Sequence, residues 1–293
     1  MKKLTALLLA FFAVSGAFAD AKIGISGSVE WDTLLIKAAV SLDLSSAGVK
    51  LPSGRTQGES ILSGGYLRLI RPGILEIQVD SSTTIADLIN RGEFSLYEAE
   101  TLALKAHAVP PALSPDMRNM SISYTLGLSN ISAALLRHSR ASPIMQTLNP
   151  VSSARYTGII IIASEDLPVH GMKGSALPVP CLFPKIWDSN MNLIYERNML
   201  DTKYASMVRY STPKSIFQNN PTGLTSELRE YVGDRPLRIF ARGVFGIKPT
   251  DLIIDDSDAL LIISSQENRR LLSEGRVVII LDEKVLRSEF SGQ

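Results

Sequence analysis

Of the 293 residues one is cysteine, three are histidine and 6% are aromatic. The single thiol, Cys181, excludes an intramolecular disulfide, so the fold must be held by its core, for which the length is ample. His107, His138 and His170 form no His-x-His or His-x-x-x-His pair, the spacing that would set two ring nitrogens on one metal. There is no Gly-x-Ser-x-Gly elbow and no Gly-Lys-Ser/Thr phosphate loop. Charge of one sign is also absent: 30 basic residues stand against 29 acidic, which leaves no electrostatic reason to bind nucleic acid. With 45% apolar and 20% charged residues, wholesale disorder is excluded. No segment has the roughly 18 consecutive apolar residues of a transmembrane helix.

The chain opens instead with the pattern of an export signal. Lys2 and Lys3 precede an apolar run over 4–14, and Ala17-Phe18-Ala19 is a small-x-small cleavage site. Cleavage after Ala19 predicts a periplasmic protein of 274 residues, with 28 basic against 29 acidic side chains. Cys181 lies far from that point, so the sequence predicts no acylated cysteine and no lipid anchor.

Beyond the leader the periodicities predict an α+β fold, with helices packed on antiparallel or mixed sheet in two α+β parts. Residues 29–44 alternate, with Leu34, Ile36, Ala38, Val40 and Leu42 on one face of a strand, and 120–126 alternate likewise. A helix is predicted over 57–70, where Gly64 and Gly65 call for close packing on the sheet. A short helix over 84–90 closes at Gly92, and another over 98–108 ends at Pro110-Pro111. Past the serine- and proline-containing stretch 139–154, Ile159 to Ile162 predict a strand buried on both faces. Residues 185–187 and 193–195 predict a hairpin, 237–244 one strand, 276–281 a final strand. A helix capped by Asp255 or Asp256 runs through Leu272, broken near Ser264-Ser265, with Gly275 past its end. The division is therefore 1–19 signal peptide, 20–138 N-terminal domain, 139–154 linker and 155–293 C-terminal domain.

Four features invite chemistry. Cys181 sits among prolines and apolar residues, which raise a thiol's pKa and make it a buried hydrophobe rather than a nucleophile. Asp255-Asp256-Ser257-Asp258, with Asp251 and Glu267, matches no calcium-loop spacing, and carboxylates at a helix start serve as caps. Asp80-Ser81-Ser82-Thr83-Thr84 precedes an apolar stretch, the setting of turns and N-caps, with binding or subunit contact as the alternatives. Asn119 and Asn130 head formal glycosylation triplets that matter only on a eukaryotic secretory route. No catalytic, cofactor-binding or metal-binding residue is assigned.

The stretch ending in Ile77-Gln78-Val79-Asp80-Ser81-Ser82-Thr83-Thr84 resembles the FlgP-like family of bacterial envelope proteins, over roughly 29–136. The pieces Tyr156-Thr157-Gly158-Ile159, Phe183 to Tyr195 and Glu274 to Ile279 resemble larger exported spirochaete relatives. The resemblance implies a non-enzymatic structural or assembly protein of the cell envelope, flagellum-associated in its sharper form. Its partners would be envelope or flagellar-motor proteins and further copies of itself. A periplasmic module binding a peptide, glycan or small molecule between the halves is the alternative. A hydrolase using Cys181 or a serine comes third.

Overall fold

The computed structural model describes residues 23–292, so the segment 1–19, expected to be a signal peptide, lies outside the described residues. In the first part β1 (Ile23–Glu30) and β2 (Leu35–Asp43) form a hairpin, followed by α1 (Arg55–Leu75), α2 (Ile85–Asn90) and α3 (Leu96–Ala103). Two short strands, β3 (His107–Ala108) and β4 (Ala112–Leu113), then lead to β5 (Asn119–Gly127) and α4 (Leu128–Leu135). The period-two pattern does what it predicts in β2 and β5. Ile36, Val40 and Leu42 on one strand and Met120, Ile122 and Leu126 on the other are buried beneath α1. The strand expected over 29–44 is instead the two arms of the hairpin, with Leu34 in the turn at φ 54°. Of the two helix glycines, Gly65 meets Ile23 as expected, whereas Gly64 faces open space. The helix expected to reach 108 ends at Ala103, because His107 and Ala108 pair with Thr125 and Tyr124 on β5.

The second part comprises β6 (Ile159–Ile162), the β7 (Leu167–Pro168) and β8 (Ser175–Ala176) pair, β9 (Ile186–Asp188), β10 (Leu193–Tyr195) and β11 (Arg209–Ser211). Next come α5 (Ser226–Val232), β12 (Leu237–Phe240), β13 (Gly243–Phe245), β14 (Asp251–Ile254), α6 (Asp256–Ile263), α7 (Gln266–Ser273) and β15 (Val277–Ile280). A four-stranded sheet has the order β11-β15-β6-β12, all parallel. Parallel strands are covered on both faces, and this accounts for the isoleucine run. Ile159 and Ile161 enter the main core, while Ile160 packs in a second cluster with Leu228 and Val232 of α5. The mixed sheet β10-β9-β14-β13 contains the predicted hairpin. Residues 237–244 are two strands rather than one. β12 belongs to the parallel sheet and β13 to the mixed sheet, with the turn at Ala241-Arg242 carrying the chain across.

Residues 276–281 are not the final strand. A 3-10 turn follows β15, and β16 (Arg287–Gly292) then crosses back to pair antiparallel with β1, from Ile25↔Gly292 to Glu30↔Arg287. The first sheet is thus β16-β1-β2-β5-β3, with β4 also on β5. The end of the expected C-terminal domain belongs by hydrogen bonding to the N-terminal sheet. Phe290 makes this possible. A Cβ on Gly27 of β1 would lie 2.4 Å from its ring, and one on Gly73 of α1 would lie 2.9 Å away. Only two glycines leave room for that ring. The expected linker 139–154 also docks: Ser142 N–H bonds Asn198 O at 2.7 Å, and Ser153 Oγ donates to Leu261 O at 2.8 Å. One hydrophobic core runs through both parts, from Ile25 to Leu286.

Candidate functional site

The stretch from Gln78 to Ser81, which runs into the Asp80–Thr84 motif, fastens the two parts. Leu182 and Phe183 N–H groups donate to the carbonyls of Gln78 and Val79 at 3.0 and 2.8 Å. Lys248 N–H donates to Ser81 O at 2.8 Å. At the tip of that contact Gly246 has φ 108°, and a Cβ there would lie 2.3 Å from Ser81 Cβ. Such an approach is open to glycine alone.

The motif's side chains hold its own shape. The Asp80 carboxylate accepts from Ser82 N–H at 2.9 Å and Ser82 Oγ at 3.1 Å, and Gln78 Nε2 donates to Asp80 O at 2.5 Å. Buried Thr83 accepts from an Arg91 guanidinium nitrogen at 3.0 Å. Thr84 caps α2 as predicted: its N–H donates to Asp87 Oδ2 at 2.8 Å while Asp87 N–H donates to Thr84 Oγ1 at 3.3 Å. Thr84 N–H and Thr84 Oγ1, which also donates to Asp87 Oδ2 at 2.8 Å, hold the Asp87 carboxyl below the usual carboxylate range, with Arg91 nearby. The Ser82, Thr83 and Thr84 hydroxyls are therefore spent on turn and cap, and the carbonyls of Gln78, Val79 and Ser81 on the second part.

Behind this contact lies a buried polar group of residues. Tyr210 Oη donates to Cys181 O at 2.7 Å and accepts from Cys181 N–H at 3.1 Å, and its ring meets Trp31 of the first part edge-on at 5.9 Å. Cys181 is fully buried, and desolvation pushes its thiol well above the ordinary range. Asp251, 1% exposed, accepts from Lys185 N–H and Thr250 Oγ1, each at 3.2 Å. Burial still raises its carboxyl pKa. Beside the junction is a cavity of about 340 Å³ whose walls include Val29, Trp31, Ile77, Val179 and Phe290, with Glu76 at its edge. Its volume is at the lower end of ligand pockets.

The three histidines are dispersed. His107 is exposed on β3. His138 Nε2 lies 2.8 Å from Leu200 O, and His170 meets the Phe245 ring edge-on at 5.9 Å. Among the described residues no group of three or more His, Cys, Asp or Glu side chains is placed to hold a metal. The Asp255 to Asp258 run behaves differently from the capping expectation. Asp255 occupies the N-cap of α6, but its side chain makes no cap bond and instead accepts from Arg242 Nε at 2.7 Å. Asp256 takes Ser189 N–H at 3.0 Å and Asn190 Nδ2 at 2.5 Å, tying α6 to the β9–β10 hairpin. Sequence reading did not single out Asp188, whose carboxylate closes that hairpin by accepting from Asn190 N–H, Asn192 N–H and Asn192 Nδ2. An aspartate with two asparagines in the next four residues, between two short apolar runs, was the available signal.

Residues 22–134 match the family model described as Treponema pallidum Tp0624, N-terminal domain. Residues 158–283 match the model described as Treponema pallidum Tp0624, second domain. The two matches, in that order, support a spirochaete-type two-domain family. No curated protein matches the chain. The Tp0624-type domains contain both sides of the fastening, Gln78 to Ser81 in the first and Leu182, Phe183 and Lys248 in the second, whereas β16 lies beyond either match. No helix among the described residues is long and apolar enough to cross a membrane.

Proposed function

We propose that this chain is an exported, non-enzymatic structural or assembly protein of the bacterial cell envelope, working in the periplasm after removal of residues 1–19. The observation that carries the reading is the fastening of the two domains through Gln78, Val79 and Ser81, over one continuous core, with β16 returning to the first sheet. A receptor that closes on its ligand by hinge motion needs lobes free to move against each other. A block crossed by main-chain bonds and a sheet strand suits a fixed spacer or docking body. Side chains with catalytic potential are committed elsewhere: the Cys181 thiol is buried and the histidines stand apart.

The resemblance to the FlgP-like family makes flagellar-motor proteins the sharper candidates for partners. Cell fractionation followed by crosslinking in vivo and mass spectrometry tests this. Recovery with envelope or flagellar-motor proteins supports the reading, and recovery as a free, uncrosslinked protein overturns it. The 340 Å³ junction cavity favours a second reading, a binding module for a small apolar ligand. A thermal-shift gain with envelope extracts that is lost on filling the cavity by Val179→Trp supports that alternative.

A further inference from the structure

β16 is the edge of the first sheet, and among the described residues no strand lies on its outer side. With six residues it is the longest edge strand in the molecule's described part; those of the other sheets have two to four. Natural edges are blunted by charged side chains, lysine above all, and by proline, bulges or shortness. Arg-Ser-Glu-Phe-Ser-Gly has no lysine or proline, and its register against β1 runs unbroken. Trp31 N–H donates to Leu286 O at 2.9 Å, in phase with that register. Even-numbered residues of β16 therefore bond to β1, and Arg287, Glu289 and Ser291 turn their N–H and C=O groups to the open side.

Charge selects a partner for this edge. An antiparallel pair about a two-fold axis must join odd-numbered residues to odd-numbered residues. Centring the axis on Arg287 or on Glu289 sets like charges opposite each other. Centring it on Phe290 leaves both charges without a counter-charge. Centring it on Ser288 sets Arg287 against Glu289 of the partner copy, twice. Both side chains are well exposed, at 60% and 77%, and lie 3.7 Å apart within one chain. On the outer face Glu30 pairs in register with Arg287 and is bonded to Lys37 at 2.6 Å. The sheet row would then continue Glu30, Arg287, Glu289 of the partner copy, with charges alternating.

We infer that two copies of this chain join through antiparallel pairing of β16, centred on Ser288, into one continuous sheet. The inference rests on the assembly reading above and names the chain itself as a partner. Analytical ultracentrifugation at low salt of the purified chain, R287E, E289R and the double variant R287E/E289R tests it. Each single variant sets like charges opposite each other and weakens self-association about ten-fold or more, and the double variant restores it. R287E mixed with E289R forms a heterodimer. Hydrogen exchange reads the same event directly, with the Arg287 and Glu289 amides protected in a concentration-dependent way. Arg287→Glu also faces Glu30 within its own chain, so circular dichroism and a denaturant midpoint verify the fold of each variant before association is compared. A wild-type chain that stays monomeric, or a dimer indifferent to both charge changes, overturns the inference. Crosslinking to envelope proteins in cells is a separate readout, so β16 pairing can fail while the assembly reading stands.

Discussion

Gly246 shows how much rests on single atoms at the junction. Its positive φ and the 2.3 Å approach of a would-be Cβ to Ser81 leave no place for a side chain. Gly246→Ala should therefore cost about 2 kcal/mol or more by urea denaturation, combining backbone strain with a main-chain shift at Ser81. Cys181 is expected to resist alkylation in the folded protein and to react only as denaturant exposes it, because its thiol is both buried and driven up in pKa. Two carboxylates work in opposite senses with pH. Asp87 is depressed in the folded state, so the stability it lends is present above the ordinary carboxylate pKa and is lost as pH falls through the depressed value. Asp251 is raised, so the unfolded chain ionises first and the folded protein loses stability as pH rises from the ordinary value through the raised one. Compared across pH, Asp251→Asn should lack that loss and gain on the wild type toward neutrality, as read by denaturant midpoints. The opposite trend would mean the Lys185 and Thr250 bonds outweigh desolvation.

Among the elements, β16 depends on one ring. Phe290→Ala empties the slot between Gly27 and Gly73, and a loss of about 2 kcal/mol is expected for a partly buried phenylalanine. Hydrogen exchange should show β16 opening before the rest of the sheet. This strand was hidden in the sequence because its inner face is Ser288, Phe290 and Gly292, one apolar side chain between two small residues. Alternation needs several apolar positions to register. Conversely β2, β5 and β6 were legible, since burial on one face or both writes directly into residue type. The capping box of α2 was legible too, because Thr84 and Asp87 interact within one turn.

At the scale of the molecule, one core and a returning strand predict one unfolding transition for both domains. A protease cut within 139–154 should leave two fragments that co-elute, since this stretch is itself bonded to the second domain through Ser142 and Ser153. Fragments that separate without denaturant would show the domains to be independent.

The α+β class, the doubly buried isoleucine strand and the β9–β10 hairpin follow from the sequence by itself. Each is a property of neighbours along the chain, carried by periodicity, caps and turn residues. Only the tertiary structure decided that residues 237–244 divide between two sheets and that the last strand belongs to the first domain. It alone decided that Gln78, Val79 and Ser81 face Leu182, Phe183 and Lys248. Those outcomes depend on main-chain hydrogen bonds between residues distant in sequence. Every residue but proline offers the same N–H and C=O to such bonds, so residue type leaves little record of which partner is taken.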